Sequence, residues 1–192
     1  MRIIKLGGSL FHTPELRQWL ELLDEASQQE PVIIVPGGGP FADEVRHAQR
    51  LHRFSDNTAH HMAILAMAQF GLLLADLAPQ CRPFYYPQQH SDIENGLHVW
   101  LPERSILDIA ELPHSWDISS DSLALWLSQQ LDVTELVMIK RSTVVSSRIK
   151  ALIEHGVLDK GFRRLYEQQP IQTQLFHFQQ QALFPDKGLV LR

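Results

Sequence analysis

Two glycine-rich stretches near the start of the chain have the residue types that bind phosphate groups. The first is Lys5-Leu6-Gly7-Gly8-Ser9, and the second is Gly37-Gly38-Gly39; each follows a short apolar run. Glycines let main-chain N–H groups approach an anion closely, and a nearby lysine adds positive charge. The alternative for either stretch is a plain turn. Three consecutive glycines cost more chain entropy than a turn requires, which favours a ligand role for the second stretch.

Two charged residues in the second half of the chain complete a possible reaction site. Asp121 falls in the first turn of a predicted helix, and Lys140 follows the apolar run 136–139. Phosphoryl transfer depends on stabilising negative charge more than on covalent chemistry, and lysines with main-chain N–H groups can supply that. The acid can hold the lysines in position without acting as a base. The alternatives are a helix-dipole partner for Asp121 and a solvated surface residue for Lys140.

Alternating strands and helices are expected to position these residues. Helical spacing or capping signals predict helices after Thr13-Pro14-Glu15, after the second glycine stretch, from Ser55 or Asp56 to about 78, and from Ser119 or Ser120 onward. Apolar runs predict buried strands at the first few residues, 32–35 and 136–139. Strands are also possible at 82–86 and 98–101, and residues 105–112 are ambiguous between strand and helix. Helices are expected at 149–155 and 162–168. Edge or closing strands are expected at 172–178 and 188–191.

This alternation predicts one α/β domain over residues 1–192, a three-layer α/β/α sandwich with a mainly parallel central sheet. Loops at the carboxyl ends of parallel strands are where ligands bind, so both glycine stretches are expected at one edge of the sheet.

Composition limits the classes of function. The 192 residues are 44% hydrophobic with a formal net charge of −5, and Lys and Arg form no stripe, so no nucleic-acid partner is expected. The single cysteine, Cys81, allows no internal disulfide, which favours a cytoplasmic setting. The apolar stretch 62–75 is shorter than the ~20 residues of a membrane span, so we expect a buried helix and no membrane partner.

Several common motifs are missing from the sequence. Neither glycine stretch is a Walker A loop or a dinucleotide fingerprint, and no nucleophile elbow is present. The ten histidines are scattered without cysteine or carboxylate neighbours, so no metal bound by side chains is expected.

Three segments, in order along the chain, resemble the amino acid kinase superfamily: KLGGSL at 5–10, VPGGGPFADEVR at 35–46 and SSDSLA at 119–124. The resemblance implies the amino acid kinase fold, an ATP-dependent small-molecule kinase that uses Mg²⁺, and a homodimer or higher homo-oligomer. It implies Lys5, Asp121 and Lys140 as catalytic residues, with Asp121 orienting the lysines. The ATP site would include Lys5, Gly7, Gly8, Ser9, Lys140 and Ser142; the acceptor site would include Gly37, Gly38, Gly39, Asp56 and Ser120.

Residues 54–67 and 115–122 resemble more closely a short subgroup that contains kinases of methanofuran biosynthesis. This resemblance implies an acceptor that is itself a phosphate monoester, such as an (aminomethyl)furanylmethyl phosphate in the synthesis of a one-carbon cofactor. Arg46, Arg53 and Arg141 are then candidates for binding its phosphate, and Asp56, Asn57 and Trp116 for contacting the rest of it.

One segment departs from the family pattern. Relatives carry an Asp-Gly-Val type sequence after the late strand, whereas this chain reads Lys140-Arg141-Ser142-Thr143-Val144-Val145. Lys140 and Lys160 compete for the role of second phosphate-binding lysine, and we favour Lys140 because it follows a buried strand. The departure also supports an alternative function, a non-catalytic nucleotide- or ligand-binding domain of the same fold.

Overall fold

A seven-stranded sheet forms the centre of the protein, and the computed structural model describes residues 1–87, 93–144 and 146–192. The strands are β1 (Arg2–Leu6), β2 (Pro31–Pro36), β3 (Arg82–Phe84), β4 (Gly96–Trp100), β5 (Glu135–Lys140), β6 (Gln172–His177) and β7 (Leu189–Val190). Their order is β3-β4-β2-β1-β5-β6-β7. All neighbouring pairs are parallel except β6 and β7. Strand β1 therefore lies in the middle, between β2 and β5.

Helices cover both faces of this sheet. They are α1 (Glu15–Ser27), α2 (Gly39–His52), α3 (Asp56–Leu77), α4 (Ser120–Gln130), α5 (Ile149–Glu154) and α6 (Phe162–Gln168). Successive residues of β1 point to opposite faces, so Ile3 joins the core under α4, α5 and α6, and Ile4 joins the core under α1. The result is the predicted three-layer α/β/α arrangement around a mainly parallel sheet.

Helix α3 is the longest helix that the structure describes, with 22 residues. Ser55 caps it by accepting a hydrogen bond from the main-chain N–H of Thr58 at 3.2 Å. By length and composition alone α3 could cross a membrane, which corrects our expectation that its apolar stretch is too short. It packs against α2 and against strands β2, β3 and β4. Leu65 and Leu72 on its outer side are 48% and 55% exposed.

Some boundaries differ from the sequence prediction for local reasons. The Thr13 hydroxyl donates to the carbonyl of Leu10 at 3.0 Å and does not cap α1. A 3₁₀ helix over Gly8–His12 takes up the turn that we expected before α1. The ambiguous stretch 105–112 contains another 3₁₀ helix, Arg104–Asp108. Strand β6 is paired on both sides, so β7 forms the edge on that side of the sheet. Val145, the last residue of the departing segment, lies outside the described residues.

Candidate active site

The carboxyl ends of three adjacent strands bring the sequence-predicted residues to one edge of the sheet. Lys5 is the penultimate residue of β1, Lys140 is the last residue of β5, and Gly37 directly follows β2. Leu6 of β1 is in register with Pro36 of β2 and with Ile139 of β5. Because these parallel strands end side by side, the glycine loops and the two lysines converge.

The two glycine loops contact each other through their main chains. Gly37 N–H donates to the carbonyl of Leu6 at 2.8 Å, which extends the sheet pairing into the loops. A Cβ on Gly8 would lie 2.3 Å from the main-chain nitrogen of Gly39, and a Cβ on Gly37 would lie 2.3 Å from that of Gly8. Real atoms do not approach so closely. Glycine is therefore required at Gly8 and Gly37 because the two loops pack backbone to backbone, which the sequence reading of each loop by itself did not reveal.

We expect Gly8→Ala to lower the free energy of unfolding by about 3 kcal/mol, because the added methyl must push two main chains apart. Gly156→Ala is the matched control. Gly156 has a φ of +67° and open space around it, so this change should cost only the left-handed conformation, about 1–2 kcal/mol. Urea unfolding of both variants measures the difference. A Gly8→Ala cost no larger than that of Gly156→Ala would contradict the close packing of the loops.

Asp121 lies between the two lysines. Lys5 Nζ is 2.9 Å from Asp121 Oδ1, and Lys140 Nζ is 2.5 Å from Asp121 Oδ2. The Lys5 contact is an ion pair without hydrogen-bond geometry, whereas Lys140 donates a hydrogen bond to Oδ2 and a second one to the carbonyl of Val157. All three side chains are buried. The two lysines therefore contact different oxygens of the same buried carboxylate.

The charges in this cluster shift its acid–base equilibria. Burial favours the neutral carboxylic acid of Asp121, but the positive charges of Lys140 and Lys5 outweigh it and hold its pKa at about 2. Burial also lowers the pKa of Lys140 to about 8, with Asp121 opposing and Lys5 adding to that decrease. Asp121 is thus ionised at neutral pH, and Lys140 is mostly charged but close to its titration range.

Several other candidates from the sequence lie away from the Asp121 cluster or do not line the nearby cavity. Lys160 is 74% exposed and pairs with Asp117 at 2.9 Å, away from Asp121, so of the two competing lysines the structure brings only Lys140 to the cluster. Asp56 accepts a hydrogen bond from Gln49 at 2.8 Å at the surface. Asp56, Gly7 and Ser142, like the buried Lys5, Asp121 and Lys140, are not among the described residues that line the cavity formed by both glycine loops.

That cavity has a volume of about 400 Å³. The predicted residues that line it are Gly8, Ser9, Gly37, Gly38, Gly39 and Ser120. Its walls also include Arg46 and Arg141, together with apolar side chains of α3 and α4 such as Ile64, Met67 and Leu123. Arg53 is not among the described lining residues. The cavity therefore has a basic, glycine-lined part and an apolar part.

Arg46 is fixed at the cavity wall by an aromatic side chain. Its guanidinium lies 4.4 Å from the ring centroid of Trp116, within the range of a cation–π interaction. Trp116 donates its indole N–H to Gln49 at 2.7 Å. Arg46 also pairs with the exposed Asp43 at 2.9 Å. The sequence suggested Arg46 and Trp116 as separate substrate contacts, but it did not reveal that they contact each other.

The sequence reading missed Asp159. We considered the segment that contains it only for the neighbouring lysine, Lys160. The main-chain N–H of Asp159 donates to Asp121 at 3.3 Å, and its carboxylate accepts hydrogen bonds from the start of α4. An aspartate just before a predicted helix is a capping signal, since its carboxylate can accept hydrogen bonds from main-chain N–H groups at the helix start, and it could have drawn attention to this residue.

The described residues contain no group of three or more His, Cys, Asp or Glu side chains that could hold a metal ion. Both Asp121 oxygens already face lysines. Burial and the nearby charge of Asp24 raise the pKa of the Cys81 thiol to about 12, so this buried thiol is not an activated nucleophile.

Comparison with known proteins identifies the family. The sequence profile of the amino acid kinase family matches residues 1–147. The chain belongs to the amino acid kinase family. The fold agrees: uridylate kinase from Archaeoglobus fulgidus superposes with a TM-score of 0.70 at 17% identity, over 92% of this chain and 90% of that one. Aspartate kinase from Synechocystis superposes with a TM-score of 0.72 at 12% identity, over 99% of this chain and 39% of that one.

A curated relative has higher sequence identity. The [5-(aminomethyl)furan-3-yl]methyl phosphate kinase of Methanocaldococcus jannaschii is 32% identical over 143 residues, which is 72% of this chain. The match spans 64% of the length of that kinase, just under two thirds.

Proposed function

We propose that this amino acid kinase family member transfers the γ-phosphoryl group of ATP to a small acidic acceptor, a phosphate monoester. The observation that carries the proposal is the buried Asp121 carboxylate between Lys5 and Lys140, at the sheet edge where the two glycine loops meet. Two ammonium groups held by one carboxylate suit a reaction that moves negative charge between oxygens.

In this reaction an acceptor oxygen forms a bond to the γ-phosphorus while the bond from that phosphorus to the β-phosphate oxygen breaks, leaving ADP. Lys5, on the central strand, neutralises charge on the transferred group, and Lys140 neutralises charge toward the leaving oxygen. Main-chain N–H groups of Gly8 and Ser9 hold phosphates of ATP, and those of the 37–39 loop hold the acceptor. Asp121 keeps both lysines in place.

An acidic acceptor fits the protonation state of this site better than an alcohol does. An alcohol must lose a proton as it attacks, and a general base works best when its pKa is near the operating pH. Asp121 has a pKa of about 2 because of its lysine partners, so it is a poor base. A phosphate monoester has its second pKa near ~6 and already carries an ionised oxygen at neutral pH.

The cavity also suits a phosphate ester with an apolar body. Arg46, held against Trp116, presents a planar guanidinium of the kind that binds phosphate. Arg141 lies in the same cavity, and the apolar part beyond can cover an uncharged ring. The relative in M. jannaschii is named for a furanylmethyl phosphate. We infer an acceptor of that kind, an (aminomethyl)furanylmethyl phosphate in the synthesis of a methanofuran-type one-carbon cofactor.

We expect Mg²⁺ to arrive with ATP. Mg²⁺ usually keeps several waters and binds substrate phosphates with one or two carboxylates rather than an all-protein cage. That preference agrees with the lack of a three-ligand cluster among the described residues. The homodimer and the cytoplasmic location stay predictions from the sequence.

A phosphotransfer assay with a panel of acceptors tests the proposal. We expect turnover with [5-(aminomethyl)furan-3-yl]methyl phosphate and at least 100-fold lower kcat/KM with the corresponding alcohol, because a site built for a charged group rejects the analogue that lacks it. Arg46→Ala should raise the KM for the phosphate acceptor by about 10-fold or more, as one charge-assisted hydrogen bond is lost.

Arg50→Ala is the matched control, since Arg50 is exposed one helical turn further along α2 and should leave the KM unchanged. ATP binding without turnover on any acceptor would support the alternative, a non-catalytic nucleotide-binding domain. Failure to bind ATP would overturn the kinase assignment itself.

A further inference from the structure

Asp159 lies in a segment, residues 157–161, that contacts the start of α4, Asp121 and Lys140 together. We propose that Asp159 is a positioning residue of the phosphoryl-transfer site, which fixes the start of α4 and keeps Lys140 in place and charged. The catalytic consequence rests on the proposed function, whereas the structural and electrostatic parts do not.

The carboxylate of Asp159 binds the first turn of α4 through several hydrogen bonds. Its Oδ2 accepts from the main-chain N–H of Ser119 at 2.8 Å, from the Ser119 hydroxyl at 2.7 Å and from the N–H of Ser122 at 3.0 Å. Its Oδ1 accepts from the Ser122 hydroxyl and from the N–H of Phe162 at 3.0 Å. A negative charge at a helix start also interacts favourably with the helix dipole. Asp159 therefore fixes the turn that carries Asp121.

The same segment contacts the lysine cluster directly. The Val157 carbonyl accepts a hydrogen bond from Lys140 Nζ, and the Asp159 N–H donates to Asp121 Oδ2 at 3.3 Å. Gly161, at the other end of the segment, also contacts the residues before α4. Its N–H donates to the Asp117 carbonyl at 2.8 Å, and a Cβ added to Gly161 would lie 2.2 Å from the Ile118 side chain. Movement of the segment would therefore disturb Asp121 and Lys140 at once.

Asp159 also balances the charge of the cluster. Lys5 and Lys140 supply two positive charges, and Asp121 and Asp159 supply two negative charges. The groups that act on Lys140 are Asp121 from α4, Lys5 from β1 and Asp159 from the 157–161 segment. Asp159 favours the charged form of Lys140, so removing its charge should lower the pKa of Lys140 below about 8.

The burial and hydrogen bonds of Asp159 act on its own ionisation in opposite directions. Burial and the charge of Asp121 raise the pKa of the Asp159 carboxyl, while hydrogen bonds from Ser122 and Ser119 lower it. The serines of the first α4 turn thus help to keep Asp159 ionised. This gives a second way to perturb Asp159 without replacing it.

The test compares Asp159→Asn with Asp117→Asn, an equivalent change at the exposed partner of Lys160. An NMR titration of the Lys140 side chain in the free protein measures its pKa without any activity. We expect the midpoint near pH 8 in the parent protein and lower by about 0.5–1 unit in Asp159→Asn, with no change in Asp117→Asn. The alkaline limb of kcat/KM should move with it, and kcat should fall by about 10-fold, a typical loss for an outer-shell partner.

If Asp159→Asn does not fold, Ser122→Ala and Ser128→Ala give the same comparison. Both serines are buried in α4, but Ser128 donates only to the carbonyl of Ala124 at 2.7 Å. We expect Ser122→Ala to lower kcat several-fold with the acceptor KM kept, and Ser128→Ala to stay within twofold. An unchanged Lys140 midpoint in folded Asp159→Asn, or equal effects of the two serine variants, would overturn the proposal. An inactive parent protein with a shifted Lys140 midpoint would refute only the proposed function.

Discussion

Replacing Lys5 by alanine should lower kcat by about 100–1,000-fold, the usual loss when one group that stabilises transition-state charge is removed. Lys5 is the penultimate residue of the central strand, beside the first glycine loop, and its ammonium is 2.9 Å from Asp121. Asp121 keeps Lys140 as a partner in this variant, so its charge stays compensated. The loss should therefore appear in turnover, measured by ADP release, and the protein should remain folded.

Lys150→Ala is the control, because Lys150 is 75% exposed and pairs only with Glu154 on its own helix at 3.9 Å among the contacts described. Its kcat should stay within twofold of the parent value. A Lys5→Ala protein that is folded and turns over at the parent rate would show that the assignment of Lys5 to the transferred phosphate is wrong.

Asp121→Asn should lower the free energy of unfolding by about 3–5 kcal/mol, because it leaves two buried lysines without their counter-charge. For a chain of this size that corresponds to a Tm lower by roughly 6–20 °C. Activity should also be lost, since neither lysine is then held in place. Urea unfolding and thermal scans at several pH values measure the effect.

The pH dependence of these measurements has a defined sign. The pKa of Asp121 is lower in the folded protein, about 2, than its ordinary value, so its stabilisation is present above the unfolded pKa and is lost as pH falls toward 2. The pKa of Lys140 is also lowered in the folded protein, to about 8. Between that pH and the ordinary pKa of a lysine, the unfolded chain therefore binds more protons than the folded chain. Stability from this group rises with pH over that window. Asp121 opposes the decrease in the pKa of Lys140, so in Asp121→Asn that pKa should fall further and the variant should gain more stability with rising pH than the parent. The deficit of Asp121→Asn should therefore shrink at alkaline pH.

A double-variant cycle checks the cause. Lys140→Met alone removes one cation, and combined with Asp121→Asn it leaves Lys5 and Asp159 as the charged groups of the cluster. The double variant should lose less stability than the sum of the two single losses. Additive losses, within about 0.5 kcal/mol, would indicate that Asp121 and Lys140 do not interact.

Local sequence patterns were enough to predict the central strands and the start of α4. Apolar runs before the two glycine loops and before Lys140 predict buried strands, and β1, β2 and β5 occur where those runs lie. Ser119, a hydroxyl residue before an apolar helix, is the N-cap of α4. Because parallel strands end at one edge, the same patterns predicted that both glycine stretches would lie together. The family resemblance implied that Asp121 orients Lys5 and Lys140.

Contacts between distant segments could not be predicted in this way. Asp159 binds Ser119 and Ser122, which are 40 and 37 residues away, and no periodic pattern links them. The stacking of Arg46 on Trp116 likewise joins α2 to the loop before α4. Such contacts depend on how the layers pack, whereas strand runs and helix caps depend on neighbouring residues only.

The backbone contact between the glycine loops bears on how new specificities can evolve in this fold. Gly8 meets Gly37 and Gly39 through main-chain atoms, so this contact between the two loops uses no side chain of the acceptor wall. Substitutions at positions such as Arg46 or Ile64 can reshape the acceptor wall while that contact is inherited unchanged. Selection for a new acceptor and preservation of the reaction geometry therefore act on separate parts of the sequence.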